Sequence, residues 1–245
     1  MRIPPFFIGL AVLILVNGFG GVMKVSAVIA AGGKGTRMGS GRNKIFLEIG
    51  GESIISRTVG IFEKNPNIFE TIIVTGKDDI PECEKLMRKY KKITVVTEGG
   101  STRQESVYNG LKFAKGHIIA IHDAARCMVS DEIINAAIEE ALKYGAAAPG
   151  VLCKDTLKIA DDNGFIQSTV DRSRTYQIQT PQVFMEDIIR SAHENGKGVE
   201  ATDDCALVEM NGVKVKITEG SYENIKLTTP EDIIIGEGIL KRRCM

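Results

Sequence analysis

Residues 28–44 read VIAAGGKGTRMGSGRNK. A short apolar run gives way to glycines at 32, 33 and 35, and Arg37 and Lys44 stand just beyond them. Residues without side chains let backbone N–H groups converge on an anion. Arginine adds planar, multi-point contact with phosphate oxygens, and lysine adds a mobile point charge. The stretch has the chemistry of a phosphate cradle, and a tight turn with two solvated cations is the other reading these residues alone allow. Two common nucleotide motifs fail on spacing. Gly33-Lys34 is followed by Gly35 instead of serine or threonine, which excludes a Walker A loop. The third glycine of G-x-G-x-x-G is replaced by Met38, and the strand TIIVTGK supplies no acid for a ribose.

Other chemistry is thinly provided. Five scattered cysteines and three histidines show no C-x-x-C or H-x-x-x-H spacing, so a zinc site is not expected. An odd set of cysteines fits free thiols in a reducing compartment, hence a cytoplasmic protein. Lys plus Arg and Asp plus Glu both number 31, so no overall field favours nucleic acid or an anionic membrane. Any anion site must be local.

The elements that would position the cradle alternate along the chain. KVSAVIA (24–30), TIIVTG (71–76), ITVVTEGG (93–100) and HIIAIHDAAR (117–126) read as strands. Helical spacing falls at 53–65, 80–90, 102–114 with Ser101 as cap, 130–145 with Ser130 as cap, 185–196, 202–212 and 230–243. This order predicts βαβ units and an α/β fold: a three-layer, mostly parallel twisted sheet flanked by helices. Ligands of such sheets sit beyond the carboxyl ends of the strands, and the loops after 30, 97 and 121 share that edge. From about 151 to 178 the rhythm changes, with two β-like stretches around DDNG, a hairpin signal that predicts a protruding β-arm. Residues 1–22 stand apart. Phe6–Val16 is continuously apolar but short for a bilayer, and MKVSAVIAAGG from Met23 reads like a chain start. The expected division is an upstream extension over 1–22 and one domain over 23–245, with a membrane anchor at 1–22 as the alternative.

Resemblance extends this reading. AAGGKGTRMGSGRNK is similar to the signature of nucleotidyltransferases that join a sugar phosphate to a nucleoside monophosphate. GGSTRQESVYNGL (99–111), HDAAR (122–126), KDT (154–156), QTPQVF (179–184), TDD (202–204) and ENIKLTTPED (223–232) follow in order. Together they resemble the 2-C-methyl-D-erythritol 4-phosphate cytidylyltransferases, enzymes of non-mevalonate isoprenoid synthesis, from about Met23 to the C-terminus. The resemblance implies a Rossmann-like nucleotidyltransferase fold and transfer of CMP from CTP to a polyol phosphate, with magnesium. Ala31, Gly32 and Gly33 would approach the nucleotide, and Arg37 and Lys44 the triphosphate. Gly100, Ser101, Arg103 and Ser106 would cradle cytosine and ribose, and Asp123 would sit near the nucleotide and the metal. Arg126, Thr156, Thr180 and Thr202 would serve the sugar phosphate. Arg172 and Lys226 join Arg37 and Lys44 as the cations of the reaction. The arm, carrying Thr156 and Arg172, would cross to the neighbour in a homodimer. His122 is expected to be structural, because an anionic phosphate nucleophile needs no strong base.

Two positions depart from the family pattern. Cys127 replaces the proline usual after HDAAR, and Arg174 and Thr175 stand where an apolar arm contact is usual. Other sugar-phosphate nucleotidyltransferases, ribitol 5-phosphate cytidylyltransferases among them, and a degenerate nucleotide-binding regulatory module are the competing readings. Ala124 and Ala125 favour the methylerythritol branch, and the retained Arg37, Lys44 and Lys226 argue against a degenerate module.

Overall fold

The computed structural model describes residues 23–33 and 43–243. The apolar run Phe6–Val16, Arg37 and Cys244 lie outside the described residues.

Strand β1 (Val25–Ala30) is buried on both faces, as a central parallel strand must be. It pairs in parallel with β4 (Ile68–Thr75) on one side and β6 (Ile118–Asp123) on the other. Beyond β4 lies β5 (Ile93–Glu98), also parallel. The short strands β2 (Glu48–Ile49) and β3 (Glu52–Ser53) form a separate ribbon. Beyond β6 the sheet turns mixed. β7 (Ala146–Leu152) pairs antiparallel with β10 (Tyr176–Ile178) and β11 (Gln182–Met185) along one edge, and in parallel with β12 (Lys216–Glu219) along the other. β11 closes antiparallel onto β6, completing eight strands.

Helices cover both faces. Ala27 and Ile29 of β1 face α1 (Ile54–Lys64), α2 (Ile80–Met87) and α4 (Asp131–Tyr144), packing with Phe62, Cys83 and Ile134. Val28 faces the opposite layer of α3 (Arg103–Leu111), α5 (Glu186–Asn195) and α6 (Asp204–Met210), with Leu111, Ile189 and Val208. A third apolar cluster joins Ile49, Cys127, Met128 and Leu227 to Ile239 of α7 (Pro230–Arg243). The three-layer α/β expectation holds.

Local details differ from the sequence reading. The cap of α3 is Thr102, whose side chain accepts from the Glu105 N–H, while the Ser101 hydroxyl donates to Glu105 Oε2. Serine and threonine cap by the same bond, so adjacent candidates cannot be ranked by type. The β7 segment AAAPGVL and the β11 segment QVFM enter the sheet without a strand signal of their own: the first is alanine-rich, the second only four residues long. The arm narrows accordingly. Val151, Leu152 and Tyr176–Ile178 belong to the main sheet, and the projecting hairpin is β8 (Lys158–Ala160) and β9 (Ile166–Thr169) around Asp161–Gly164. No helix among the described residues is long and apolar enough to cross a membrane.

Candidate active site at the carboxyl edge of the sheet

Register brings the strand ends together. Ala30 aligns with both Val74 and Asp123, and Thr75 aligns with Glu98. Three loops therefore leave one edge side by side. Ala31 is fixed first: its N–H donates to Val74 O at 2.8 Å, and its carbonyl accepts from Asn43 Nδ2 at 3.0 Å. Gly32 and Gly33 follow, exposed. Gly33 has φ +135°, a conformation that disfavours any side chain. Lys44 opens the 3-10 turn Lys44–Phe46 at the far end of the loop, with Asn43 capping it.

The second loop carries Gly100, Ser101 and the N-terminus of α3. A Cβ at Gly100 would lie 2.3 Å from Glu105 Cβ, so the loop closes onto the helix only because that atom is missing. The Gly100 N–H donates to Ser106 Oγ at 3.0 Å, and Ser106 Oγ donates to Thr102 O at 2.8 Å. A Cβ at Gly32 would meet Ser106 Oγ at 4.0 Å, so the first two loops are neighbours.

Asp123, at the end of β6, is the centre of charge. Its Oδ1 accepts from Arg103 Nε at 3.2 Å, and Lys226 Nζ pairs with Oδ2 at 2.7 Å. Burial favours the neutral acid, but Arg103 and then Lys226 outweigh it and hold the carboxyl well below the usual carboxylate range. Arg103 reaches further, donating from Nη1 to Asp204 Oδ2 at 2.7 Å. Burial opposes the Arg103 charge, and Asp204 and Asp123 more than offset that opposition. Asp204 Oδ1 pairs with His193 Nε2 at 3.0 Å. Arg126 also lies in the field of Asp123 and Arg103; burial lowers its pKa, against the pull of Asp123. Three guanidinium or ammonium groups, Arg103, Arg126 and Lys226, thus face two carboxylates, Asp123 and Asp204. The cluster carries excess positive charge at a sheet edge with open glycine backbone, which suits an anionic ligand.

The loop after Asp123 is held despite the missing proline. The Ala124 N–H donates to Ala30 O, Arg126 N–H to Asp123 O and Leu227 N–H to Ala125 O. Arg126 Nη1 donates to Asn224 O at 2.8 Å, which ties this loop to the one bearing Lys226. Cys127 is packed into the cluster beneath α7, and burial pushes its thiol up to about 11. His122 bridges the structure. Arg126 O can only accept, so His122 Nε2 carries the proton and donates to it at 3.2 Å, leaving Nδ1 to accept from the Thr180 hydroxyl at 3.0 Å; Thr180 Oγ1 also accepts from the Asp123 N–H at 3.1 Å. Burial drives the His122 pKa down to about 3.

The structure therefore brings together Ala31, Gly32, Gly33, Gly100, Ser106, Arg103, Asp123, Arg126, Thr180 and Lys226. Thr180 directs its hydroxyl inward, positioning Asp123. Thr202 is exposed two residues before Asp204. Thr156 and Arg172 lie on the arm, where Arg172 Nη1 donates to Lys154 O at 3.4 Å. Asp204, His193, Asn224, Asn43 and Gln182 join the site without having been singled out as functional residues. Arg103 and Asp204 are 101 residues apart, and TDD signals only a helix start, so no local spacing announces their pairing. Among the described residues no group of three or more His, Cys, Asp or Glu side chains could hold a metal ion.

Comparisons with known proteins find relatives over most of the chain. The model of the 2-C-methyl-D-erythritol 4-phosphate cytidylyltransferase family matches residues 25–242. A protein of that name from Clostridium acetobutylicum is 46% identical over 222 residues, covering 88% of this chain and 97% of its own. Its counterpart from Geobacillus kaustophilus is 44% identical over 227 residues, covering 90% and 99%. The crystal structure of 4-diphosphocytidyl-2C-methyl-D-erythritol synthase from Anaerococcus prevotii superposes with a TM-score of 0.80 at 32% identity, covering 89% of this chain and 96% of that one. A 2-C-methyl-D-erythritol 4-phosphate cytidylyltransferase from Thermus thermophilus gives 0.73 at 30% identity, covering 87% and 98%.

Proposed function

The chain belongs to the 2-C-methyl-D-erythritol 4-phosphate cytidylyltransferase family, and from that premise we propose that the sheet-edge site transfers CMP from CTP to 2-C-methyl-D-erythritol 4-phosphate in isoprenoid precursor synthesis. The phosphate oxygen of the polyol attacks the α-phosphorus of CTP, and pyrophosphate leaves. The observation that carries the reading is Asp123 held between Arg103 and Lys226 beside the open Ala31–Gly33 backbone.

The nucleophile is anionic at neutral pH, so the site must overcome repulsion between two anions more than abstract a proton. Ala31, Gly32 and Gly33 would admit the triphosphate to the backbone, with Arg37 and Lys44 supplying charge. Gly100, Ser101 and Ser106 would form the base-reading edge, its shape set by the Ser106 bridge. Lys226, paired to Asp123 and about two-fifths exposed at 41%, is free to exchange a carboxylate partner for a phosphate. Arg126 would shape the sugar-phosphate side through its bond to Asn224 O.

Magnesium, when bound, would neutralise phosphate charge and polarise the α-phosphorus. Asp123 is the carboxylate that would meet it. One carboxylate without a protein cage fits a metal held mainly by the nucleotide's own oxygens, as magnesium commonly is.

The arm supports assembly as a homodimer. Phe165 and Ile166 at its tip are 72% and 66% exposed, which leaves apolar surface for a second copy to cover. Arg172 and Thr156 would then act in the neighbour's site. A cytoplasmic location fits the buried free thiols at 83, 127, 153 and 205.

Pyrophosphate release tests the function. CTP is expected to outperform ATP, GTP and UTP with methylerythritol phosphate as acceptor, and ribitol 5-phosphate is expected to be a poor acceptor. Equal rates with ribitol 5-phosphate, or preference for another nucleotide, would overturn the assignment.

A further inference from the structure

His193 is the buried titratable group that the transfer reaction leaves unused. It is 2% exposed on α5, and its ring stacks against Tyr108 of α3 with centroids 6.3 Å apart. Its Nε2 lies 3.0 Å from Asp204 Oδ1, and its Nδ1 is buried without a partner. A carboxylate only accepts, so Nε2 carries a proton and donates it to Oδ1. Filling the same space with leucine would avoid burying a polar ring with a half-satisfied capacity. The imidazole therefore has a use beyond packing.

We propose that His193 is a positioning residue for the nucleotide site, acting through Asp204 to aim Arg103 at Asp123. Asp204 is gripped from three sides. Its backbone N–H donates to Gln182 Oε1 at 3.1 Å, His193 holds Oδ1, and Arg103 Nη1 donates to Oδ2 at 2.7 Å. Gln182 is itself anchored, donating from Nε2 to Asp203 Oδ2 at 2.7 Å. With Oδ1 committed to His193, the carboxylate cannot rotate to take Arg103 by another oxygen. Arginine's donors form a rigid fork, so fixing Nη1 fixes the direction of Nε, which is the atom on Asp123. Without the histidine, Asp204 gains a free oxygen and a second rotamer, and Arg103 can swing toward a nucleotide phosphate or away from the site. Tyr108 adds registry, because its hydroxyl donates to Glu194 Oε1 at 2.6 Å and so couples α3 to α5.

The inference rests on the CMP-transfer reading above. It is tested on the full chain by pyrophosphate release from CTP and methylerythritol phosphate, with folding followed by circular dichroism. His193→Leu is expected to lower kcat/KM for CTP about tenfold, the scale of a small misplacement of a site group. His193→Gln places an amide Nε2 donor where the imidazole donor stands and is expected to restore kcat/KM to within about twofold of wild type. His193→Asn ends one bond short and is expected to stay impaired. In an Arg103→Lys background, which lacks the fork, His193→Leu is expected to have no further effect. Full activity of His193→Leu, equal activity of the Gln and Asn variants, or losses that multiply in the double variant would each overturn the proposal. If His193→Leu does not fold, the comparison of Gln with Asn decides. A wild type that turns over CTP beside an unaffected Leu variant sinks this inference alone. A wild type inactive toward CTP sinks the functional reading beneath it.

Discussion

Asp123 and its two cations separate what binds substrate from what holds the fold. Arg103 is partly buried between two carboxylates, and truncating it leaves Asp123 with Lys226 and Asp204 with His193. Arg103→Met is expected to cost about 1–3 kcal/mol of stability as well as activity, because the buried Asp204 carboxylate loses a charge-assisted bond. Lys226 is partly exposed, and an exposed pair contributes at most about 1 kcal/mol. Lys226→Met is therefore expected to melt close to wild type while losing about 100-fold or more in kcat, as when a donor to developing charge is removed. Parallel melting and pyrophosphate assays check the contrast, and equal destabilisation by both substitutions would refute it. His122 gives a pH signature of its own. Its ordinary value of 6.5 falls to about 3 in the fold, because burial penalises the charged ring. Between those values the unfolded chain takes up a proton that the folded chain refuses, so stability falls as pH falls. From pH 7 to pH 5 this amounts to about 2 kcal/mol. Asp123 cannot supply that slope. Its pKa is depressed, so its contribution is lost only below the ordinary carboxylate value of 3.8. His122→Gln is expected to flatten the dependence of Tm on pH between 5 and 7, and an unchanged slope would rule the ring out as its source. At this scale the sequence displays the motif residues, because glycines and cations cluster locally. It conceals His193, Asn224 and Gln182, which matter through partners 11, 44 and 21 residues away.

Elements were legible in proportion to their pattern. The four parallel strands with helices between them carry apolar runs and periodic faces, and the structure places β1, β4, β5 and β6 within or beside the stretches expected from the sequence. Strands β7 and β11 do not announce themselves, because β11 takes its place by pairing with β6, and β7 by pairing with β11, more than from side-chain propensity. The same distinction says where an element tolerates change. Helix α3 carries Arg103 and Ser106, and it lies close to the sheet because Gly110 has no side chain. A Cβ there would meet Val74 Cγ2 at 2.6 Å and Val28 Cγ1 at 2.7 Å, both in the core of central strands. Gly110→Ala is expected to cost about 1–3 kcal/mol through overpacking and to lower Tm by roughly 2–10 °C. Lifting α3 also displaces the Gly100–Ser106 bridge, so KM for CTP is expected to rise more than KM for the polyol phosphate. Equal rises in both would place the disturbance outside the nucleotide edge.

The whole molecule presents a charge-rich site at one sheet edge and an arm that leaves the sheet at Leu152 and returns at Tyr176. Between those points the hairpin β8–β9 is exposed along its length, including Ile159 and Ile166. Short isolated hairpins are marginal in water, so a covering partner gives the arm a stability its own pairing does not. If two copies exchange arms, each active site draws Lys44 from one chain and Arg172 from the other. Lys44→Ala and Arg172→Ala are each expected to be nearly inactive alone. Unfolding and refolding them together at equal amounts should give about half mixed dimers by random assortment. In each mixed dimer one site has lost both cations and the other has kept both. Recovered activity is then expected at about one quarter of wild type, independent of total concentration once dimers are formed. Recovery that never exceeds the sum of the two parents would show that Arg172 serves its own chain, and the arm would then need another reason for its exposed apolar tip.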